Sequence, residues 1–224
     1  MDAPNKGRFI TLEGGEGVGK STQAQLLAKR LELMGVAVVL TREPGGSPGA
    51  EVLRKVILSG AAAPFGPAAE AILFSAARID HIDRTIAPAL ESGAWVICDR
   101  FADSTRAYQG AAGKLDPALI ASLERVAVGD VRPDLTLVLD LAADKGLARA
   151  AARRGKDAGA DRFEREGAAF HETLRQAFLA IARAEPERCF VVDADRPPQE
   201  VAQAIWACVR ERLGSALKIG SAPP

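Results

Sequence analysis

The stretch Gly14-Gly15-Glu16-Gly17-Val18-Gly19-Lys20-Ser21 follows the apolar run Phe9-Ile10-Thr11-Leu12 and opens a segment with a helical pattern. It fits the phosphate-loop pattern, in which glycines stand first and sixth and Lys-Ser comes next. Glycine reaches positive φ, so consecutive backbone N–H groups can face a polyphosphate, and the following helix points its free N–H groups at the same anion. The stretch therefore predicts a nucleoside triphosphate site in a strand-loop-helix unit.

Two side chains in this unit have predicted chemical roles. Lys20 is expected to reach the β and γ phosphates and to move with the transferred group, and the Ser21 hydroxyl is expected to hold Mg²⁺. The predicted nucleotide-binding set is Gly14, Gly15, Glu16, Gly17, Val18, Gly19, Lys20, Ser21 and Thr22. A carboxylate inside this set is unusual, because Glu16 repels a triphosphate.

Charge and cysteine content exclude several classes of protein. Lys plus Arg and Asp plus Glu both number 29 in 224 residues, so no overall field favours nucleic acid or an anionic membrane. Cys98, Cys189 and Cys208 are odd in number and lie in apolar contexts, which predicts buried thiols in a reducing compartment. With no signal peptide or spanning apolar run, the sequence predicts a cytoplasmic protein with small-molecule partners. His81 and His171 read as helix-surface residues.

Five apolar runs alternate with helical patterns along the chain. The predicted strands are 8–13, 36–40, 95–98, 135–139 and 189–192. The predicted helices are 20–34, 48–59, 67–91, 103–109, 116–128, 143–154, 164–183 and about 201–213. Strands separated by helices, without hairpin signals, indicate right-handed crossovers and a parallel sheet. The run at 36–40 is apolar throughout, as expected of a strand covered on both faces.

The predicted fold class is α/β, a P-loop NTPase-type three-layer fold. It has a five-stranded parallel sheet, helices on both faces and a small mobile lid. The expected organisation is a single domain over 1–224 with a lid insert at about 149–166, and flexible ends at 1–7 and 214–224. Ligands of such sheets bind beyond the carboxyl ends of the strands. The charged residues expected at that edge are Glu13, Arg42, Asp99, Arg100, Asp140 and Asp193.

Several motifs in a fixed order add to the phosphate loop. They are Thr-Arg-Glu-Pro-Gly-Gly at 41–46, Phe-Ser-Ala-Ala-Arg at 74–78, Asp-Arg-Phe at 99–101 and Ala-Tyr-Gln-Gly at 107–110. In this order, from about residue 8 to 195, the chain resembles the thymidylate kinase family of bacterial type. The resemblance implies transfer of the γ-phosphoryl group of ATP to dTMP, with Mg²⁺, in a cytoplasmic homodimer with no nucleic-acid or membrane partner.

The resemblance also implies roles for individual residues. Phe74 and Arg78 lie four apart and share one helix face. Spacing alone favours a core position for Phe74, whereas the resemblance makes it the ring that stacks on the base and makes Arg78 a ligand of the base. Arg100 would clamp the acceptor phosphate. Arg54 would be a second clamp, with a solvated helix arginine as the alternative.

The remaining implied contacts surround the sugar and the metal. Glu16 resembles the family's ligand of the acceptor 3′-hydroxyl, and Tyr108 would crowd out a 2′-hydroxyl unless it is only a half-buried helix aromatic. Asp99 and Asp140 could each be the acidic group near Mg²⁺, and the family motif favours Asp99. The predicted substrate set is Glu16, Arg54, Phe74, Arg78, Arg100, Ser104, Thr105, Tyr108 and Gln109. The predicted catalytic set is Lys20, Asp99, Arg100 and Arg153, and the predicted metal ligands are Ser21 and Asp99.

Arginines flank the polar segment 155–162, at Arg149, Arg153, Arg154, Arg162 and Arg165. This composition is typical of a hinged lid. Position 17 is glycine, where some members of the family carry arginine, so the missing charge has to come from elsewhere. The hypothesis is that Arg153 closes over the γ-phosphate, with Arg149 or Arg154 as alternatives if the helix register differs by a turn.

Three other functions compete. A regulatory GTPase needs an Asn-Lys-x-Asp guanine reader, and the only Asn is Asn5. A partitioning or motor ATPase usually shows a basic surface or long oligomerisation segments, neither of which is evident. A kinase for dUMP, UMP or CMP is the nearest rival, since a pocket resolves one methyl group by only about 1 to 3 kcal/mol.

Overall fold

The computed structural model describes residues 7–154, 162–163 and 165–217, apart from the side chain of Arg154. Within these ranges one sheet contains five parallel strands in the order β2-β3-β1-β4-β5. The strands are β1 (Phe9–Glu13), β2 (Val38–Arg42), β3 (Trp95–Asp99), β4 (Leu135–Asp140) and β5 (Cys189–Asp193). The predicted strands and their parallel arrangement are confirmed.

The helices follow the strands in the alternation that a parallel sheet requires. They are α1 (Lys20–Leu33), α2 (Pro48–Ser59), α3 (Gly66–His81), α4 (Ala87–Glu91), α5 (Ala102–Thr105), α6 (Pro117–Val128), α7 (Ala143–Arg154), α8 (Ala168–Ala184) and α9 (Pro198–Leu213). A π-helical turn at Ile82–Ile86 joins α3 to α4, and another at Arg106–Ala112 follows α5. The predicted helix at 67–91 is therefore one helical path with a wider turn inside it.

Alternate strand residues face opposite layers of the fold. Ile10 and Leu12 lie in a buried cluster with residues of α1 and α9, whereas Phe9 lies in a second cluster with α4 and Phe101. Because side chains alternate along a strand, Glu13 shares the face of Phe9. This places the last residue of β1 toward the segment that follows Asp99. The structure has the three-layer architecture that the sequence predicts.

Two sequence interpretations are wrong about exposure. The strand at 36–40 was expected to be covered on both faces, but β2 is an edge strand and Leu40 is exposed. An apolar run does not reveal which strand stands at the edge, since that depends on pairing with distant segments. His81 and His171 are buried instead of lying on the helix surface. The three cysteines are buried free thiols, as predicted.

The ends of the described chain are packed more closely than expected. Gly7, within the expected flexible leader, is buried and donates its N–H to the Leu90 carbonyl (3.0 Å). At the other end, Gly214–Ala216 forms a 3₁₀ turn and Leu217 joins the core. Residues 1–6 and 218–224 lie outside the described residues. In the described part of the chain no single helix could cross a membrane, although the bent pair Pro48–Ser59 and Ala63–Glu91 passes by length and composition.

Candidate active site at the carboxyl edge of the sheet

The loop between β1 and α1 has the backbone that the glycine pattern predicts. Gly14, Gly17 and Gly19 have φ of 134°, 68° and 98°, a region that L side chains rarely adopt. A Cβ on Gly17 would stand 1.9 Å from the carbonyl oxygen of Gly146 in α7. An arginine at position 17 would therefore require the loop or α7 to shift.

Lys20 spans the loop from the first turn of α1. Its Nζ donates to the carbonyl oxygens of Gly14 (3.1 Å) and Gly15 (2.6 Å). Burial, and then the charge of Arg100, lower the pKa of Lys20 to about 8, although Glu16 and other carboxylates oppose the shift. An arriving polyanion favours the charged ammonium, so the side chain is poised to bind phosphate oxygens.

The residues present fit a magnesium ion. The Ser21 hydroxyl donates to Oδ2 of Asp99, which brings two hard oxygen donors together beside the loop. The alternative carboxylate, Asp140, is instead engaged by Arg175 through two hydrogen bonds of 2.7 and 3.0 Å. Among the described residues no cluster of three metal-ligating side chains occurs. A bound Mg²⁺ would therefore draw the rest of its ligands from phosphates and water.

Arg100 is the centre of the site. Its Nη2 donates to Oε1 of Glu16 (2.6 Å) and to the hydroxyl of Tyr108 (2.9 Å). Its Nη1 donates to the Gly14 carbonyl (3.1 Å) and to Oγ of Ser104 (3.2 Å). Burial alone would raise the pKa of Glu16, but Arg100, and Lys20 after it, outweigh burial and lower it to about 2. The carboxylate inside the phosphate loop is therefore held ionised by the same guanidinium that was predicted to clamp the acceptor phosphate.

A cavity of about 220 Å³ joins the phosphate loop to this guanidinium. Phe74, Tyr108 and Phe163 form one aromatic end of it. The Phe163 ring lies 5.2 Å from the Tyr108 ring, nearly perpendicular, and 6.0 Å from the Phe74 ring. The predicted site residues on its lining are Glu16, Gly17, Gly19, Lys20, Ser21, Arg54, Phe74, Asp99, Arg100, Ser104, Thr105, Tyr108, Gln109 and Arg153. Sequence reasoning missed Phe163, whose only signal is an aromatic residue in a polar segment.

Arg78 lies behind this cavity, away from its lining. It is buried, and its Nε donates to Oε2 of Glu43 (2.8 Å) while its Nη2 donates to Oγ1 of Thr105 (3.2 Å). The other oxygen of Glu43 lies 3.1 Å from Nδ1 of His81, whose Nε2 contacts Oγ1 of Thr41 (2.7 Å). The buried network thus fixes the Thr-Arg-Glu-Pro-Gly-Gly loop against α3, and a base-binding role of Arg78 stays a prediction.

The arginines of α7 point to different places. Arg153 is exposed and lines the cavity with Lys20 and Arg100. Arg149 donates to the Ala194 carbonyl (3.0 Å) and lines a second pocket of about 430 Å³. The side chain of Arg154, residues 155–161 and residue 164 lie outside the described residues.

The second pocket adjoins the phosphate loop on the side of β5. The two pockets share Gly17 and Gly19. The other lining residues are Val18, Thr22, Gln23, Arg149, Ala194, Arg196, Pro197, Pro198 and Val201. The segment after β5 was not predicted to be functional, although its position at the carboxyl edge of the sheet is a signal that sequence reasoning could have used. Arg162, in the segment predicted to be a lid, donates to Oε1 of Glu70 (3.1 Å) and pairs with Glu166.

Glu13 is a buried carboxylate beside this site. Burial, and then the charge of Asp103, raise its pKa to about 7, although hydrogen bonds and Arg100 oppose the shift. The charge of this carboxylate in turn raises the pKa of Lys20. Between about pH 4.5 and pH 7 the folded protein therefore binds more protons at this group than the unfolded chain does.

The Glu13→Gln variant should remove this pH dependence. A pKa raised from about 4.5 to about 7 favours folding below pH 4.5, and this contribution disappears as the pH rises through 7. Relative to Glu13→Gln, the wild-type free energy of unfolding should therefore fall by up to about 3 kcal/mol from about pH 4.5 to about pH 8. Urea unfolding of both proteins across this range measures the difference. A difference that does not change with pH would contradict the assignment.

Comparison with known proteins agrees with the geometry. The sequence profile of the family described as Thymidylate kinase matches residues 12–205. A thymidylate kinase of Bradyrhizobium sp. strain ORS 278 is 55% identical over 218 residues, covering 97% of this chain and 96% of the relative. One of Afipia carboxidovorans is 56% identical over 214 residues, covering 96% and 93%.

A solved structure gives the same result at the level of the fold. The crystal structure of thymidylate kinase from Ehrlichia chaffeensis superposes with a TM-score of 0.74 at 33% identity, covering 91% of this chain and 99% of that one. A family profile that spans most of the chain and relatives above half identity over nearly their whole length leave one conclusion. The chain belongs to the thymidylate kinase family.

Proposed function

We propose that this protein transfers the γ-phosphoryl group of ATP to dTMP, which gives dTDP and ADP. The observation that carries the proposal is one cavity whose wall contains both the phosphate loop and an aromatic end, with Arg100 between them. A phosphoryl donor on the loop and a flat base against Phe74 would direct two phosphate groups at each other. Such positioning, with charge stabilisation, is most of what phosphoryl transfer requires of a protein.

The donor fits the loop and the second pocket. The triphosphate would lie on the N–H groups that open α1, with Lys20 at its outer phosphates. Because the second pocket begins at Gly17 and Gly19, a base attached to that triphosphate would enter it between Arg149 and Pro197. Bound there with the triphosphate, Mg²⁺ held by Ser21 and Asp99 would neutralise phosphate charge.

The acceptor fits the aromatic end. Arg100 would clamp its phosphate, and Arg54, which also donates to the Pro44 carbonyl (2.5 Å), lines the same cavity. Phe74 would stack on the thymine, and Gln109 would contact the edge of the base. Arg78 would reach the same edge from behind the cavity lining. The hydrogen-bonded pair of Glu16 and Tyr108 (2.6 Å) would face the deoxyribose. Ser104 and Thr105 complete the wall.

Catalysis in this arrangement is electrostatic. Lys20 follows the transferred group, Arg100 holds the acceptor oxygen in line, and Arg153 adds a third positive charge from the lid side of the cavity. We propose a single nucleoside monophosphate kinase domain, in which residues at about 149–166 form the lid. A lid over these charges would exclude water that otherwise competes with the acceptor.

The test is a panel of acceptors. The purified protein receives Mg-ATP with dTMP, dUMP, UMP or CMP, and ADP release is measured. We expect the highest kcat/KM with dTMP, and a smaller difference against dUMP because one methyl group is worth only about 1 to 3 kcal/mol. ATP hydrolysis that does not depend on any monophosphate would contradict the proposal and place the protein among switch or motor ATPases.

Phe74→Ala should raise the KM for dTMP by about tenfold or more, because a stacking face is worth about 1 to 3 kcal/mol. The KM for ATP should stay within about twofold, since Phe74 is absent from the donor pocket. Steady-state kinetics with each substrate varied in turn measure both constants. Phe65→Ala is the matched control, because that ring is exposed on the surface. Equal changes in both KM values would instead assign Phe74 to the core.

We further propose that the protein is a homodimer that works in the cytoplasm. Exposed apolar side chains lie on three helices that pack side by side, with α3 between α2 and α6. They are Val52 and Val56 on α2, Ile72 and Ile79 on α3, and Leu119 and Val126 on α6. Exposed apolar residues on three helices in contact are typical of a protein interface, and a second copy of the chain would cover them. Buried free cysteines fit a reducing compartment.

Ile72→Glu and Val126→Glu should convert the dimer to a monomer, because each places a charge in an apolar interface. Sedimentation velocity measures the change in mass. Leu33→Glu is the control, since Leu33 is 80% exposed on α1, which packs in the other layer. A wild-type protein that sediments as a monomer at all concentrations would exclude the dimer.

A further inference from the structure

Glu13 holds the segment that carries Arg100. Its side chain is fully buried at the end of β1. Oε1 accepts the backbone N–H of Phe101 (2.8 Å) and of Ser104 (3.2 Å), and Oε2 accepts the hydroxyl of Ser104 (2.7 Å). One carboxylate therefore binds the N–H of Phe101, which precedes α5, and both the N–H and the hydroxyl of Ser104 within α5.

These contacts fix the backbone on both sides of Arg100. The residue has φ of 72°, a left-handed conformation that costs free energy for any residue with a Cβ. Its own N–H bonds to the Leu12 carbonyl (2.9 Å), and the next N–H, that of Phe101, bonds to Glu13. Two consecutive residues of β1 thus hold two consecutive amides, and the strained turn directs Arg100 toward the phosphate loop.

A second connection reaches the guanidinium itself. Nη1 of Arg100 donates to Oγ of Ser104, and the Ser104 hydroxyl donates its own proton to Glu13. The Ser104 oxygen therefore keeps its lone pairs free for Arg100. A carboxylate can accept at both of its oxygens. A glutamine would instead present N–H donors to Ser104, so the Ser104 oxygen would no longer be reserved as an acceptor for Arg100.

We infer that Glu13 is a positioning residue for the acceptor phosphate, which it serves by orienting Arg100 through the Phe101 backbone and Ser104. This rests on the proposed function. Glu13 lies outside the cavity lining and acts on Arg100 through other groups, so the residue contributes to phosphate binding without touching the substrate. Because the guanidinium would bind the phosphate and not the nucleoside, the effect should be confined to ligands that carry a phosphate.

The experiment compares dTMP with thymidine. Calorimetry at about pH 8, above the pKa of Glu13 of about 7, measures the binding of both ligands to wild type, Glu13→Gln and Ser104→Ala. We expect each variant to bind dTMP about tenfold more weakly, the loss associated with a charge-assisted hydrogen bond, and to bind thymidine within about twofold of wild type. Thr11→Val is the matched control: it removes a buried hydrogen bond to Thr136 from the same face of the same strand, at 2.8 Å. It should leave both affinities unchanged.

The outcomes are distinct. Equal weakening of dTMP and thymidine, or no weakening of either, overturns the inference. Ser104→Ala decides the question if Glu13→Gln does not fold, because it keeps both N–H bonds to Glu13 and removes the hydroxyl that links Glu13 to the guanidinium. If wild-type protein does not bind dTMP, the proposed function fails, whereas selective binding by wild type with unselective loss in the variants rejects the role of Glu13 alone.

Discussion

Replacement of Arg153 by alanine should lower kcat by about 10³-fold or more, the range observed when an arginine that stabilises a transferring phosphoryl group is removed. Arg153 lines the cavity together with Lys20 and Arg100, and it is exposed, so it is free to approach a triphosphate. An arginine at position 17 would require the loop or α7 to shift, because a Cβ there would meet the Gly146 carbonyl at 1.9 Å. We therefore expect Arg153, near the end of α7, to supply the positive charge that the loop lacks.

Arg149→Ala is the matched comparison on the same helix. Arg149 lies in the second pocket, 3.6 Å from Asp195, so its loss should raise the KM for ATP with a smaller effect on kcat. Single-turnover rates at saturating substrates separate the two effects. If Arg153→Ala, Arg149→Ala and Arg154→Ala each left kcat within a few-fold of wild type, the proposed catalytic role of the lid would be wrong.

Lys20→Met should lower kcat by about 10² to 10³-fold, the cost of removing one preorganised charge that faces the transition state. In the structure Nζ is held by two carbonyl oxygens of the loop, and burial lowers its pKa to about 8. The loop therefore fixes the ammonium before substrate arrives, which spares reorganisation during the reaction. Methionine keeps the length and the apolar stem but lacks the charge.

Lys29→Met controls for the loss of a lysine from α1, because Lys29 is exposed on the same helix. Its kcat should match that of wild type. Thermal unfolding of both variants shows whether the fold is retained. A Lys20→Met protein that folds and keeps kcat within a few-fold of wild type would remove Lys20 from the catalytic set.

Local patterns in the sequence determined the loop and the strands that carry the site. The glycine spacing at 14–19 specifies a loop with positive φ, and the structure has that backbone at Gly14, Gly17 and Gly19. Apolar runs between helical patterns specify parallel strands, and the carboxyl ends of those strands carry Glu13, Asp99 and Asp140 as expected. These features depend on steric rules and on periods of a few residues, so neighbouring residues suffice to predict them.

Tertiary structure decided which charged groups meet. The family motif favoured Asp99 over Asp140 as the predicted magnesium carboxylate. In the fold Asp140 binds Arg175, and Asp99 accepts the hydroxyl of Ser21. The pairing of Glu16 with Arg100 joins residues that are 84 positions apart. Their separation along the chain says nothing about the distance between their side chains, since only the packing of helices on the sheet sets it.

Local patterns also predicted the burial of some residues but not of others. The buried face of α1 follows the helical period of its apolar residues. No local signal indicated that β2 would stand at the edge of the sheet or that His81 would be enclosed beside Glu43. The role inferred for Glu13 also depends on contacts with Phe101 and Ser104, which lie about ninety residues farther along the chain. The sequence by itself determined the phosphate loop, the sheet and the family of the chain, because these depend on local residue types and their order. Only the tertiary structure determined which carboxylate holds which arginine, because hydrogen bonds and desolvation act over a few ångströms in space, whatever the distance along the chain.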